Sequence, residues 1–557
     1  MQIPIRFKLY NQFLLVIAIV FLLLIFWNVL LANFFFAFII HPSAVLFYTA
    51  VFFSVLSVFI ISTKYFFINW KIILIGILTA VLIFLYVKIK AEKYYDVSWD
   101  GQAYQMEAVL QMMKGWNPVK NYLDNSSKQE NIYINHYPRG AWYNAFSFYL
   151  VSGNIESGKL FNYLWIVIAS CFGTVVLNQF FKLNFFIAFI IALVAATNPV
   201  AIYQSTSNYI DGQVAAGMLT FILLAVFIFF NGNIGSIILL SVTILLMINY
   251  KFSLPFYLIV MSAGVIFIFW IYKNNQAIKK FIYSALIGFA FGVCVLGFSP
   301  YISNLIDFKN PIYPLFENSL PEITRGIEES IQPASFETMN RFERLFQSTF
   351  SKGIWSRTPD DNVLKIPGTF TADEKLNYSR PDCEMAGFGP YYSLAFLISI
   401  LLLPFIFFVN RNVFYLVLLI IGFLFLSILI TKVGWLARYA PQFFLVCLVI
   451  VVAAFYLKTF ALLLPAAICL TLLIKNDTEL LEINYVSQNK NTNDLQNTLT
   501  DLSKRSDTVL VYFDHFNCYR ERFKNNNIKF REVKSIKELR VDSPKYFKWV
   551  NNRIATN

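Results

Sequence analysis

The chain has 557 residues, of which 58% are hydrophobic and 18% aromatic, and its mean hydropathy is +0.59. These values exclude an ordinary soluble protein, in which the apolar fraction is about 45–50%, and they favour a helical polytopic membrane protein. The formal net charge of +13 is explained by Lys and Arg at the ends of membrane helices, so it does not indicate a nucleic-acid partner.

About thirteen apolar runs have the length that a bilayer requires. They lie approximately at 13–33, 44–62, 70–88, 160–181, 184–198, 213–230, 234–250, 254–272, 281–299, 391–409, 412–430, 440–457 and 459–474. The first run is too long for a signal peptide and has no small-residue cleavage site behind it. Most Lys and Arg of the short connections fall on one side if the N-terminus is cytoplasmic. The predicted membrane domain, 1–474, then carries two long outer loops, 89–159 and 300–390.

The last part of the chain, 475–557, is polar. Its run VLVYF at 509–513 is typical of a strand and is followed by a helix-like segment. We therefore predict an all-α membrane domain with a small extramembrane α/β domain that covers or orients it, joined by a hinge near Asn489. The six cysteines are too few for a disulfide framework, but Cys383 and Cys518 lie in polar segments and leave one bridge open.

The first polar stretch after the early spans, 94–118, combines carboxylates with aromatic residues. From Gly101 onwards its apolar residues recur at helical spacing, which predicts an amphipathic helix with its apolar side against the membrane. Two roles are open to Asp100 at the start of this helix: an N-cap, or a general base that takes a proton from an acceptor hydroxyl or amine. Asp96 and Asp100 form a D-x-x-x-D pair, which is a weak pattern for metal binding.

Other outer loops contribute polar residues near the membrane boundary. In NHYPRG, His136 is either a plain loop residue or a ligand, and Arg139 offers a guanidinium that matches phosphate oxygens. Asp211 starts an apolar span, either as a cap or as a boundary carboxylate that needs solvent or a partner. Lys251 breaks the positive-inside pattern, which indicates an anionic partner or a snorkelling side chain.

The connection between the eleventh and twelfth spans, GWLARYAPQ at 434–442, contains Arg438 and Tyr439. Topology disfavours a cation on that face of the membrane. A fixed guanidinium flanked by aromatic rings suits the phosphate of a lipid. We therefore predict that Arg438 binds a lipid phosphate.

Together these segments resemble the GT-C superfamily of integral-membrane glycosyltransferases, especially protein O-mannosyltransferases, lipid A aminoarabinose transferases and uncharacterised bacterial relatives. WDGQAY is similar to the first outer loop of that family, and the match puts the catalytic aspartate at Asp100 with Tyr104 four residues on. HYPRG is similar to the end of that loop, and NPIYP and RYAPQ to later outer-loop signatures, the last with its expected arginine at Arg438. The chain departs from the family in an additional early span and in Gly101, where an acidic residue is usual.

The resemblance implies an inverting sugar transfer from a polyprenyl-phosphate donor to a glycan, lipid or protein acceptor. Asp100 would be the base, and Arg438 with Lys251 or Arg139 would bind the donor phosphate. The other residues predicted to bind substrate are Tyr104, His136, Asp211 and Tyr439. A divalent cation, Mg²⁺ or Mn²⁺, stays open, with Asp96 as its ligand. The wealth of Lys, Asn, Ile and Phe favours a bacterial inner membrane, with the active site on the periplasmic face among membrane lipids.

Two other functions stay open: an O-antigen-type polymerase or ligase, and a transporter or flippase of lipid-linked glycans. A polymerase or ligase relies on Arg and His in a large late loop, but 300–390 contains no His. A transporter needs ionisable residues deep in its spans, and the predicted spans carry no charge near their middles. The donor sugar and the acceptor are not encoded in any motif found here.

Overall fold

The computed structural model describes residues 7–125, 130–315, 332–354, 363–539, 545–549 and 552–556. The chain is 73% helical with few strands. In chain order the helices are α1 (Leu9–Ala37), α2 (Val45–Lys64), α3 (Trp70–Lys93), α4 (Met106–Met113), α5 (Asn131–His136), α6 (Gly140–Ser152), α7 (Leu160–Gln179), α8 (Phe185–Ala196), α9 (Pro199–Gln204), α10 (Asp211–Asn231), α11 (Ile234–Ile248), α12 (Leu254–Ile271), α13 (Asn275–Phe291), α14 (Ser303–Phe308), α15 (Arg341–Phe350), α16 (Lys375–Tyr378), α17 (Tyr392–Val409), α18 (Arg411–Leu429), α19 (Leu445–Leu457), α20 (Phe460–Ser503) and α21 (Cys518–Asn525).

Shorter helical turns complete these elements. The π-helical turns are Gly101–Gln105, Gly292–Leu296 and Phe298–Ile302. The 3₁₀ turns are Ile155–Lys159, Ala334–Phe336, Ala372–Glu374, Ala437–Tyr439, Pro441–Phe444 and Ile536–Leu539.

Ten helical stretches in the described part of the chain are long and apolar enough to cross a membrane. They are α1, α2, α3, α7 with the turn before it, α10, α12, α13 with the turn after it, α17, α18 and α20. Three shorter apolar helices, α8, α11 and α19, lie among them. Each of the predicted spans falls on one of these long or short apolar helices, and the class of a helical, polytopic integral membrane protein is confirmed. The exact number of crossings stays a prediction.

The longest early helix, α1, packs against α2, α3 and α7. Two of its buried asparagines pair with neighbouring helices: Asn11 donates to Oδ1 of Asn178 at 3.0 Å, and Asn28 accepts from the hydroxyl of Ser147 at 2.7 Å. Hydrogen bonds of this kind hold helices together where the surrounding lipid offers no polar partner. Apolar packing alone therefore does not fix the register of α1.

The long loops gather at one end of the bundle, which we call the loop face. The hydroxyl of Tyr122 in the first long loop donates to Oδ2 of Asp307 in the second at 2.7 Å. The second loop also reaches the end of α9, because Gln204 donates to the carbonyl of Pro381 at 3.2 Å. The two predicted outer loops consequently share a side of the bundle.

The predicted hinge near Asn489 is wrong, because α20 continues without a break from Phe460 to Ser503 over 44 residues. Beyond the apolar part, buried residues recur at helical spacing, at Leu480, Ile483, Leu495 and Leu499. This narrow apolar stripe packs against the loop face and stabilises a helix that is otherwise rich in Asn. A continuous helix thus joins the bundle to the C-terminal segment.

A small α/β unit follows α20, so it begins after Ser503 and not at the predicted boundary of 475. Its strands are β1 (Val509–Tyr512), β2 (Phe530–Glu532), β3 (Lys545–Trp549) and β4 (Asn552–Thr556), in the sheet order β2-β1-β4-β3. β1 and β2 are parallel and are connected through α21, whereas β4 pairs antiparallel with β1 and β3. Helix α21 packs against α4 of the first long loop. The unit therefore covers the loop face.

The open question of a disulfide is settled against it. Cys383 and Cys518 are both buried and free. The Cys383 sulfur accepts from Nδ2 of Asn377 at 3.1 Å, and the Cys518 thiol faces Oε1 of Gln102 at 3.9 Å. The two thiols thus contact different residues and are not paired with each other.

Candidate functional site

Asp100 and Arg438 lie together at the loop face although 338 positions separate them in the chain. Nη1 of Arg438 is 3.4 Å from Oδ2 of Asp100, and the two side chains are 13% and 27% exposed, so the pair is accessible to a ligand. Asp100 directly precedes the π-helical turn Gly101–Gln105, and Arg438 belongs to the 3₁₀ turn Ala437–Tyr439 between α18 and α19. Turns of the π type are rare and often occur at functional sites. The structure thus brings the predicted base and the predicted phosphate-binding residue into contact.

Of the two roles open to Asp100, the structure contradicts the N-cap. Its backbone already has right-handed helical angles, and its side chain makes no capping hydrogen bond. Asp96 instead holds the start of this helix, because its carboxylate accepts from the N–H of Ser98 at 2.9 Å and from the N–H of Asn208 at 2.6 Å. The Asp100 carboxylate is thereby left to face Arg438.

The hydrogen bonds of Asp96 also weigh against the Mg²⁺ or Mn²⁺ that the sequence left open. Both of its oxygens are buried and accept from Ser98 and Asn208, which leaves none directed at a cation. Within the described ranges, no three His, Cys, Asp or Glu side chains gather in a way that could hold a metal ion. The donors present do not fit the divalent cation that the sequence left open.

Gly101 has a steric reason to stand where the resembling family carries an acidic residue. A Cβ at this position would collide with the carboxylate of Asp96 and with Oγ of Ser98. Any larger residue would displace Asp96 from its hydrogen bonds. The departure from the family pattern is therefore tied to the local path of this loop.

The helix that follows Asp100 is not an interfacial helix with a solvated polar face, which corrects the prediction from its periodicity. Gln102, Gln105 and Glu107 on that helix are buried. Nδ2 of Asn517 in the C-terminal unit donates to Oε1 of Glu107 at 2.7 Å. The C-terminal unit supplies hydrogen-bond partners for Gln102 and Glu107, and Trp142 of α6 donates to Gln105, so the polar face is covered by protein.

Burial raises the pKa of Asp100 above its ordinary value. The guanidinium of Arg438 opposes this rise, whereas the carboxylates of Asp382 and Asp211 add to it. A hydrogen bond with Tyr209 acts in the same direction as Arg438. A carboxyl group with a raised pKa is a stronger base than an ordinary aspartate, and the acid–base role of Asp100 is chemically reasonable.

A second ion pair lies beside the first. Nζ of Lys251 contacts Oδ1 of Asp211, and Gln204 donates to the other oxygen of that carboxylate at 3.0 Å. The Lys251 ammonium lies 4.0 Å from the centre of the Tyr439 ring, and the Arg438 guanidinium lies 5.0 Å from the same centre. The ring of Tyr439 thus connects two cations. The structure therefore shows Asp211 as a boundary carboxylate with a partner, and Lys251 as the cation that is its partner.

Aromatic residues line the site next to Asp100. Burial and the nearby Asp100 carboxylate hold the pKa of Tyr104 well above its usual range, so its hydroxyl stays protonated and able to donate. Its ring lies 6.0 Å from that of Tyr133 and 6.4 Å from that of Tyr137. On the other side, the guanidinium of Arg438 lies 5.9 Å from the centre of the Tyr209 ring. Tyr104 was predicted to be in the site, whereas Tyr209 was given no role.

Asp382 is a further site residue that the sequence analysis missed. It lies in the second long loop, where Nε of Arg380 is 3.2 Å from its Oδ1. The intervening Pro381 is held by Gln204, which also binds Asp211. The only sequence signal is an acid and a base on either side of a proline, and that pattern is common in loops.

His136 and Arg139 belong to a different part of the loop face. Nδ1 of His136 is 2.9 Å from Oδ1 of Asn304, and burial lowers its pKa to about 4, so the ring is neutral at ordinary pH. Arg139 is buried and donates to Ser299 and to the carbonyl of Asn135. Among the described contacts, these two residues are not brought to the Asp100–Arg438 pair. Their predicted roles in substrate binding gain no support from this arrangement.

Comparisons of the chain with protein-family models, with curated proteins and with solved structures return no match. The apolar helices define the class, a polytopic helical integral membrane protein. What the protein does has to be argued from the chemistry of the site, in which a partly open acid–guanidinium pair is bordered by a second ion pair and tyrosine rings.

Proposed function

We propose that the chain is a GT-C-type glycosyltransferase that transfers a sugar, with inversion, from a polyprenyl-phosphate carrier to a hydroxyl or amine of a glycan, lipid or protein. The observation that carries the proposal is the partly open pair in which Asp100, with its raised pKa, lies 3.4 Å from the guanidinium of Arg438. The carboxylate suits the proton of an acceptor and the guanidinium suits the phosphate of a donor. The site would face the periplasm of a bacterial inner membrane.

In the proposed reaction, Asp100 takes the proton of the acceptor hydroxyl or amine while the acceptor atom forms its bond to the anomeric carbon. The bond between that carbon and the phosphate oxygen breaks, and its electron pair leaves with the polyprenyl phosphate. Attack from the face opposite the leaving group inverts the configuration. Arg438 and Lys251 stabilise the charge that develops on the phosphate, because fixed cations aimed at developing charge lower the barrier.

Arg438 serves two partners in this scheme. Without donor, it contacts Asp100 and lowers the pKa of that carboxyl. A phosphate binds a guanidinium through two parallel hydrogen bonds and would draw it away from the carboxylate. Loss of the guanidinium would raise the pKa of Asp100 and strengthen the base once the donor is bound. Donor binding and activation of the base are coupled in this way.

An apolar groove between α12 and α18 suits the isoprenoid chain of the donor. It has a volume of about 460 Å³ and is lined by Phe267, Tyr415, Leu418, Leu419, Gly422, Phe423 and Leu426. The lining residues of the groove follow α18 as far as Leu426, close to the end of that helix and the segment that leads to Arg438, whereas on α12 the groove is lined by Phe267, near the end of the helix far from Lys251. A lipid chain that follows α18 in this groove would run towards Arg438, one of the two cations proposed to bind its phosphate.

The experiment is a transfer assay with a panel of polyprenyl-phosphate sugars, comparing the wild-type protein with Asp100→Asn. The amide keeps the shape of the side chain but cannot take up the proton, so transfer should fall by about 100-fold or more. The matched control is Asp307→Asn, which removes an exposed carboxylate of the same face that binds Tyr122. Wild-type-like transfer by Asp100→Asn, or equal losses in both variants, would contradict the proposal.

A further inference from the structure

The C-terminal unit inserts one arginine beneath the loop that carries Asp100. Arg522 on α21 is 1% exposed. Its Nη2 donates to the carbonyl of Asp96 at 2.7 Å, its Nη1 to Oε1 of Gln102 at 3.1 Å, and its Nε to Oε1 of Glu156 at 3.0 Å. The guanidinium thus binds the chain on both sides of Asp100, four residues before it and two residues after it.

Glu156 connects this arginine to the membrane domain. Its other oxygen, Oε2, accepts from Nζ of Lys159 at 2.7 Å and from the N–H of Asp96 at 2.9 Å. Glu156 therefore holds the N–H of Asp96 while Arg522 holds its carbonyl. The ammonium of Lys159 also donates to the carbonyl of Tyr94. The backbone that leads to Asp100 is fixed from two directions.

Helix α20 adds contacts to the same segment. The N–H of Tyr95 donates to Oγ1 of Thr492 at 3.1 Å, and the Tyr95 hydroxyl donates to Oε1 of Gln496 at 2.8 Å. The guanidinium of Arg522 lies 5.2 Å from the centre of the Tyr95 ring. Both parts of the C-terminal region that follow the membrane, α20 and α21, thus converge on residues 94–102.

A buried ion cluster of this kind is a poor source of stability, because desolvation of the charges offsets their attraction. The Glu156 carboxylate keeps the pKa of Arg522 above its ordinary value, so the arginine stays charged where it is buried. Apolar side chains of similar volume would pack the two units together at no greater cost. The arginine instead fixes the relative orientation of the docked segments, because its planar guanidinium holds three acceptors in a set geometry.

We propose that Arg522 is a positioning residue: it docks the C-terminal unit on residues 94–102 and thereby holds the Asp100 carboxylate beside Arg438, in the place where it takes the proton of the acceptor. The claim that Arg522 positions Asp100 for catalysis rests on the proposed function. The claim that Arg522 docks the C-terminal unit does not. A displacement of about 1 Å at a reacting group can cost about 100-fold in rate. The C-terminal unit would then contribute to the active site through the loop that it holds, and not through a contact of its own described side chains with Asp100 or Arg438.

The test compares full-length Arg522→Met with Arg520→Met as its matched control. Arg520 lies on the same helix but pairs with Glu532 of its own unit, with 24% of its side chain exposed. It also donates to Oδ1 of Asn517, so its loss removes a cation while every direct contact of Arg522 with the loop is kept. Hydrogen–deuterium exchange of residues 94–105 is measured in all proteins, together with kcat, KM for the donor and the pH dependence of kcat. If Arg522→Met does not fold, Gln102→Leu removes one acceptor of Arg522 and leaves its pair with Glu156 intact.

The expected result is exchange at 94–105 that is at least tenfold faster in Arg522→Met and unchanged in Arg520→Met. The kcat should fall about 10- to 100-fold with the donor KM little altered, and the acid limb of the pH profile should move to lower pH as Asp100 becomes hydrated. Unchanged exchange would overturn the proposal. So would faster exchange with a normal kcat, or a kcat that falls only with the folded fraction while the pH profile stays fixed. If wild-type protein transfers no sugar at all, the proposed function fails, and the exchange data alone decide whether Arg522 docks the unit.

Discussion

At the scale of single residues, the central feature is an ion pair in which Arg438 can exchange its carboxylate partner for a phosphate. The atoms of Asp100 and Arg438 are 3.4 Å apart, farther than the distance of about 2.7–2.9 Å in an optimal charge-assisted hydrogen bond, and neither side chain is fully buried, so the pair is open to competition from a ligand. A phosphate that binds the guanidinium through two hydrogen bonds can replace the carboxylate without a large penalty. The weakness of the pair is what allows Arg438 to change partners.

The pH dependence of transfer follows from the same residues. Asp100 has to be deprotonated to act as a base, and its pKa is raised, so the rate should increase with pH through a pKa above the ordinary aspartate value. Arg438→Gln removes a group that lowers this pKa and should move the acid limb to higher pH. Asp382→Asn removes a carboxylate that raises it and should move the limb to lower pH. The measurement is kcat/KM against pH for the three proteins, because this ratio reports the pKa of Asp100 in the protein without donor. Shifts of the same sign in both variants would contradict the assignment of the base.

At the scale of helices and loops, the sequence pattern predicted well where the apolar helices lie. It predicted poorly how far a helix continues beyond its apolar part. The apolar spans followed from length and composition, because a bilayer demands both. The polar half of α20 was expected to be a flexible linker, since Asn and Gln are common in loops. The buried residues that stabilise this half include Leu495 and Leu499. They are so few that the sequence pattern alone does not distinguish them from a random distribution of apolar residues.

The groove between α12 and α18 gives a prediction at this scale. Gly422 lines it, and a Cβ there would meet nothing within 4 Å, so a large side chain can project into the space. Gly422→Trp should fill the groove and raise KM about tenfold or more for donors with long isoprenoid chains, while donors with short chains are affected much less. The control is Leu401→Trp, at a position on α17 that is 68% exposed and outside this groove. Equal effects on long and short donors would argue against a lipid site in the groove.

At the scale of the whole molecule, residues far apart in the chain meet at one face for different reasons. Asp100 and Arg438 could be predicted to share a side because span counting and the distribution of Lys and Arg place both loops together. Arg522 could not, because it binds Gln102 across 420 positions and no local pattern marks it. Asp382 was missed for the same reason. A sequence indicates which face of a membrane protein a loop occupies, but not which side chains of that face touch.

The most direct measurement of the central claim is made on Asp100→Asn, by recording both its sugar transfer and its affinity for a polyprenyl phosphate without sugar. If the acid and the guanidinium share one pocket, removal of the carboxylate charge frees Arg438 for the phosphate. The variant should then bind the lipid phosphate up to about fivefold more tightly, the equivalent of about 1 kcal/mol, while its transfer is lost. Retained transfer, or weaker binding of the lipid phosphate in correctly folded protein, would contradict the account.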